Sequence, residues 1–346
     1  MRSVVGALGS VLALLSVGVA TACSSSAEPA AQVIATADAG PIDDATADAS
    51  GPVACDPYVA RSPVPEVQIG PTGFEAALLA EIGGAKKSLD MMAFDVGRKA
   101  VLTALVDAKK RGVAVRVVAD KGRAKTLRGA LGAEAVHDSS FPAAHSKLLI
   151  VDGARAQIGS GDLTDVALEK HRTAAVVLSD AASLGELKAL FEADWGGAPS
   201  APTSCSLVVT PGDAAARIAH HIASAETALD VEVFTATEPT VVAAIKERAG
   251  AGVRVRVLLA GPELVKPNEA TGAELVAAGC EVRFYRDFEV HAGLVVTDKG
   301  ALVGSHELAV EAFTANRHLS AVVTDDGPVK ALRAQFDADW PKGALR

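Results

Sequence analysis

From about residue 57 onward the apolar residues of this chain follow two alternating rhythms. Residues 88–94, 113–119 and 148–151 are short apolar runs, the pattern of buried strands, whereas 73–87 and 99–111 space their apolar positions three and four apart, the pattern of amphipathic helices. Gly112 is placed to cap the second of those helices. The same reading predicts a short helix over 124–131, a brief strand ending at Ile158, a helix opening at Asp162 as its N-cap, a strand over 174–179 and a helix reaching Trp195. Such alternation predicts an α/β fold. Helical crossovers further predict mixed, mostly parallel sheets flanked by helices on both faces.

The pattern is written twice. Ser88-Leu89-Asp90-Met91-Met92-Ala93-Phe94 recurs as Ala228-Leu229-Asp230-Val231-Glu232-Val233-Phe234, and the segment 112–117 recurs at 252–257. His145-Ser146-Lys147-Leu148-Leu149-Ile150-Val151-Asp152 returns as His291-Ala292-Gly293-Leu294-Val295-Val296-Thr297-Asp298. Gly159-Ser160 returns as Gly304-Ser305, and the Phe191, Trp195 pair as Phe336 and Trp340. Matches in one order at a nearly constant offset mean a duplicated domain and not a solenoid of short repeats. The predicted lobes are 57–198 and 204–346, joined by a short hinge rich in Gly, Pro, Ala and Ser.

The first 56 residues do not share this pattern. Arg2, an apolar stretch over 4–20 and Ala20-Thr21-Ala22 predict an export signal over 1–22. Cys23 follows at once, so the segment resembles a bacterial lipoprotein signal, which implies a lipidated Cys23 and attachment to a cell-envelope membrane; plain cleavage with a secreted product is the alternative. Residues 23–56 have almost no large apolar side chains and are expected to be a disordered tether. For an oxidising destination, Cys55 and Cys205, in polar lead-in segments, are the expected disulfide, with Cys280 left over at the start of an apolar strand. The net charge is −9 and the repeats themselves are weakly acidic, which argues against a nucleic-acid partner. No cysteine has zinc-ligand spacing and adjacent His220 and His221 point to different helix faces, so no metal site is expected.

The period of a strand puts His145 and Lys147 side by side on one face and Asp152 on the other. An imidazole beside a fixed ammonium offers phosphorus a nucleophile and its oxygens a cation. The spacing His-x-Lys-x4-Asp, the Gly159-Ser160 pair and the second copy together resemble the phospholipase D superfamily. That resemblance implies two lobes packed about a pseudo-twofold axis with one site in the crevice, and a cofactor-free reaction through a phosphohistidine. His145 would be the nucleophile and His291 the general acid, though the sequence leaves their order open. Lys147 would hold the phosphoryl oxygens, and Ser160 and Ser305 would either donate to them or only make tight turns. Asp152 and Asp298 complete the motifs, but their parity suits bracing the strand better than touching substrate.

The departures from the family pattern matter as much. Gly293 stands where the second motif should have lysine, and Arg317, Arg286 and Arg172 are the candidates to replace its charge. If the missing charge limits the reaction, Gly293→Lys should raise activity. Asp162 and Glu307 stand where relatives often have Asn, and would either add negative charge beside a phosphate or cap helices, facing their own backbone N–H groups. Relatives also carry an acid in the following strand to orient a histidine. The segments around His171 and His318 supply none, which leaves Asp90 and Asp230 as candidates; His171, His306 and His318 are expected to be surface or core histidines. The resemblance points to hydrolysis of a phospholipid phosphodiester, with a nuclease or a catalytically impaired binding protein as alternatives. Oligomeric state is not legible.

Overall fold

A computed structural model describes residues 56–202, 204–286 and 290–345. The expected signal, Cys23, Cys55 and all of the tether but Asp56 lie outside the described residues. In the first repeat the strands are β1 (Glu66–Ile69), β2 (Ser88–Ala93), β3 (Ala114–Ala119), β4 (Val136–Asp138), β5 (Lys147–Val151), β6 (Arg155–Gly159) and β7 (Arg172–Leu178). The helices are α1 (Phe74–Gly84), α2 (Lys99–Lys110), α3 (Ala124–Leu131), α4 (Asp165–Lys170) and α5 (Ala181–Trp195). In the second repeat β8 (Leu207–Val209), α6 (Ala214–Ala223), β9 (Ala228–Val233), α7 (Pro239–Gly250), β10 (Arg254–Ala260), α8 (Asn268–Ala277) and β11 (Glu281–Tyr285) lead to β12 (Val290–His291) and β13 (Leu294–Val296). β14 (Ala301–Gly304), α9 (Val310–Thr314), β15 (Leu319–Val323) and α10 (Asp326–Asp339) complete it.

The sheets run β1-β7-β6-β5-β2-β3-β4 and β11-β10-β9-β13-β14-β15-β8. The fold is α/β, but the expectation of mostly parallel pairing is corrected. Within each of these two sheets only the pairs joined by helical crossovers, β2 with β3 and β3 with β4, and β9 with β10 and β10 with β11, are parallel. Antiparallel order begins where the chain turns back directly. Asp152 and Gly153 both have positive φ, 53° and 62°, and Ala154 N–H bonds Val151 O at 2.9 Å, so an Asp-Gly turn folds β6 back on β5. That pair of left-handed residues matches the twist of a hairpin.

Side chains alternate across each strand, so each sheet has two apolar faces to cover. Leu89, Met91 and Leu149 pack outward on Phe74, Leu78, Leu105 and Leu127 of α1, α2 and α3. Val231, Val233 and Val295 do the same on Ile218, Val241, Ile245 and Leu275 of α6, α7 and α8. The remaining faces, carrying Met92, Leu148, Ile158, Leu294 and Val303, share one core with Leu187 and Phe191 of α5 and Leu332 and Phe336 of α10.

The repeated aromatic pairs have a shared task. Arg116 on β3 binds Asp90 on β2 at 2.7 Å and lies over Phe191 and Trp195, at 4.9 and 5.5 Å from their ring centroids. Arg256 on β10 binds Asp230 on β9 at 2.7 Å and lies over Phe336 and Trp340, at 4.7 and 5.6 Å. Residues four apart on a helix face the same way, which is how each pair makes one aromatic seat for a guanidinium. Cys205 is disulfide-bonded and Cys280 is a free, buried cysteine; Cys55 lies outside the described residues.

Candidate active site

The two repeats exchange short stretches of backbone pairing. Val290 and His291 of β12 run parallel to Arg172 and Thr173 of β7, and Ala144 forms a parallel bridge with Arg317, whose N–H bonds Ala143 O at 2.9 Å. The residues leading into each histidine motif are thereby tied to the other repeat, at the point where β7 or β15 begins.

This exchange builds two matching ring stacks. His145 is flanked by Phe94, which follows β2, with centroids 4.3 Å apart, and by His318, which precedes β15, at 4.9 Å. His291 is flanked by Phe234, which follows β9, at 4.6 Å, and by His171, which precedes β7, at 5.0 Å. In both stacks the phenylalanine comes from the histidine's own repeat and the second imidazole from the other. Burial, with smaller contributions from Lys147, His318 and His291, pushes the His145 imidazole down to about 2, so it is neutral at physiological pH. His318 is pushed down to about 3 by burial and by Lys147, against the opposing pull of the Ser305 carbonyl. Its Nδ1 lies 2.7 Å from Ser305 O, and because a carbonyl only accepts, Nδ1 carries the proton.

Sequence reasoning treated His171 and His318 as bystanders; the structure places them against the motif histidines. The signal was present, since both repeats set a histidine at the entry to the strand that follows the Gly-Ser turn and helix. Asp90 and Asp230 are not orienting acids, being paired with Arg116 and with Arg256 and Arg333. His306 is buried behind His318, its Nδ1 2.7 Å from Ser320 Oγ. His221 is buried too, between Val295 O at 3.2 Å and the Tyr58 hydroxyl at 3.1 Å. Among the described residues no cluster of His, Cys, Asp or Glu could hold a metal ion.

Lys147 opens β5 with its ammonium 5.7 Å from the Phe94 centroid and 3.3 Å from Asp162 Oδ1. Asp162 is therefore not a helix cap. α4 starts later, with the Thr164 hydroxyl accepting from Ala167 N–H at 3.2 Å. Glu307 does not cap α9 either, whose N-cap position is Ala309. It lines a narrow cavity with Ser160, Phe234, His291, Gly293 and His306. Burial there raises its pKa, against the pull of His291 and Lys147 and aided by Asp162.

The arginines proposed to replace the missing lysine do not. Arg317 is buried in a two-pronged pair with Asp194, at 3.0 and 2.8 Å, and donates to Ser200 O and Thr210 O. Arg172 is held by Asp339 at 2.7 Å and by Gly70 O. Arg286 is exposed.

Ser160 Oγ accepts from Ala174 N–H at 3.0 Å and Ser305 Oγ from Leu319 N–H at 3.0 Å, so both hydroxyls stitch their turn to the neighbouring strand. Ser160 also lines the cavity beside His291. Asp152 and Asp298 complete the motifs in sequence but are outside the cluster, bracing strands and not placed for catalysis. Asp152 accepts from the N–H groups of Lys86, Lys87 and Ser88 at the start of β2, and Asp298 from those of Glu226 and Thr227 at the start of β9. Burial opposes ionisation of Asp298, but the Thr227 hydroxyl and the surrounding N–H groups prevail and bring its pKa to about 2.

Fold and site define a duplicated α/β protein whose two histidine segments are each paired to the other repeat, with His291 close enough to His145 for its charge to be felt there. The chain belongs to the phospholipase D superfamily: the family described as "Cardiolipin synthase, PLD-like domain" matches residues 78–195 and 218–340, well over half the chain. It is 27% identical over 129 residues to a phospholipase D of Rickettsia bellii and 29% identical over 144 residues to a mitochondrial cardiolipin hydrolase of Xenopus laevis. These alignments cover 36% and 41% of this chain, and 64% and 68% of the relatives' own lengths. Phosphatidylserine synthase from Haemophilus influenzae shares the fold, with a TM-score of 0.63 at 13% identity, over 82% of this chain and 87% of that one.

Proposed function

We propose that this protein is a phospholipase D-type phosphodiesterase acting on a phospholipid without a metal or other cofactor. The observation that carries the reading is that Lys147 and His291 both lie near enough to His145 to act on it electrostatically, with the His145 imidazole held neutral. The neutral nitrogen attacks phosphorus and the P–O bond to the leaving alcohol breaks, its alkoxide taking a proton from His291. Water then enters with His291 as base, and the P–N bond to His145 breaks to return the free imidazole and a phosphate monoester. Lys147 sits where it can offset charge on the phosphoryl oxygens, and Ser160, whose acceptor capacity is engaged by Ala174, keeps its own proton to donate.

The weakly acidic repeats favour a lipid over a nucleic acid, and lipidation at Cys23 would keep the site at a cell-envelope membrane. Incubation with phospholipid vesicles, an aryl phosphodiester and DNA, followed by acid-free quenching and peptide mapping, tests this. Headgroup release and a phosphoryl adduct on His145 are expected. Cleavage of DNA alone would favour the nuclease reading. A second reading, a binding protein with an impaired site, is favoured by one observation: Lys147 is paired with Asp162 at 3.3 Å while the second motif has Gly293 at the corresponding position. Absence of turnover and adduct with all three substrates would establish it in place of the first.

A further inference from the structure

We infer that His318 and His171 are positioning residues, each holding the reacting imidazole of the opposite repeat by the face of its ring. The inference rests on the reading of His145 and His291 as the reacting groups. A catalytic imidazole must keep its attacking nitrogen aligned, and the usual device is a hydrogen bond to its other nitrogen. Among the described residues no hydrogen bond fixes the His145 ring. What fixes it is the pair of near-parallel faces, Phe94 inclined by 16° and His318 by 11°.

His318 is itself immobilised. It is fully buried, its Nδ1–H is given to Ser305 O, and its backbone N–H bonds Thr210 Oγ1 at 2.9 Å. A neutral ring facing His145 adds order without adding the negative charge that a carboxylate would bring, so it does not draw a proton onto the nucleophile. The second stack has the same build, with His171 inclined to His291 by 19° and Phe234 by 10°. The bridge from Ala144 to Arg317 and the pairing of β12 with β7 deliver each stacking ring across the repeat boundary. Each half of the site is consequently completed by the other repeat, so alignment depends on both repeats being docked.

The test compares removal of the ring with removal of its nitrogens alone. His318→Ala and His171→Ala should lower kcat on an aryl phosphodiester on the order of 10²-fold while KM stays within about threefold, as expected for lost alignment. His318→Phe and His171→Phe, which keep a flat face, should recover most of that loss. Relaxation of isotope-labelled imidazoles provides a readout that needs no turnover: His145 in the His318 series and His291 in the His171 series should become mobile in the alanine variants and stay ordered in the phenylalanine ones. His171 is only partly buried, so its series serves if His318→Ala does not fold. Folded alanine variants with unchanged kcat and ordered rings would overturn the inference, as would phenylalanine variants as impaired as the alanine ones. A wild-type protein that turns over nothing yet shows the ring-order difference would defeat the proposed function and leave the positioning role standing.

Discussion

A Cβ placed on Gly293 falls 1.9 Å from the carbonyl oxygen of Gly304. Gly293 has φ of 54°, in the left-handed region, and its own carbonyl accepts from Gly304 N–H at 3.2 Å. The second repeat is thus built around a glycine at the position where the first has Lys147. Introducing Gly293→Lys is expected to destabilise the protein by at least ~2 kcal/mol, from the left-handed conformation and the clash together, and not to raise activity. Urea unfolding and a phosphodiesterase assay on the same preparation check this. A variant that keeps wild-type stability and gains rate would mean that the turn can re-form around a side chain.

The duplication and the strand and helix order were legible because they depend on local pattern and on self-similarity. Helix α3 is found over the very residues its spacing predicts. What was not legible depends on contacts across the fold. Asp152 was read as the end of a motif when, with Gly153, it is also a hairpin signal, and the helical crossovers alone set the expectation of mostly parallel sheets. Asp162 looked like a cap because it opens a polar stretch, yet its carboxylate turns to Lys147. The segments around His171 and His318 were searched for an acid, and the histidine that both repeats set there was passed over; that it stacks on the other repeat's histidine is a contact across the fold which spacing within one repeat does not show.

Asp162 beside Lys147 gives a second prediction. The ammonium is engaged by a carboxylate, 3.3 Å away, in the place where it would meet a phosphoryl oxygen. Asp162→Asn removes that competing charge and should raise kcat/KM several-fold, in line with the ~1 kcal/mol of a partly exposed ion pair. Lys147→Met should lower it by about 10²- to 10³-fold. A fall in both variants would show that Asp162 serves to aim the lysine.

Asp152 and Asp298 should govern stability and not chemistry. Each closes the start of a central strand by accepting several backbone N–H groups, and replacing either by Ala is expected to cost on the order of 1–2 kcal/mol with kcat unchanged. The folded-state pKa values are depressed, so the stabilisation is present above the ordinary carboxylate value and is lost as pH falls. For Asp298 the loss runs from about pH 4 down through about 2. Because that side chain is exposed, solvent screening keeps the effect small. Urea midpoints of the wild type and of Asp298→Asn should converge across this window, and curves that remain parallel would count against the assignment.

The last prediction concerns the shape of the pH–rate profile. A nucleophilic histidine with an ordinary pKa would lose activity as it protonates near neutrality, giving kcat/KM an acid limb. Burial brings His145 down to about 2, with Lys147, His318 and His291 adding to the effect in that order. The free-base form therefore predominates well below neutrality, and kcat/KM should show no acid limb assignable to His145 above about pH 4. Replacing His318 with Asp puts a carboxylate at the ring face, favours the imidazolium and should move such a limb up into the measurable range. Wild-type and His318→Asp profiles that coincide would mean that the charge at position 318 does not reach His145, and the neutrality of the nucleophile would then rest on burial, Lys147 and His291.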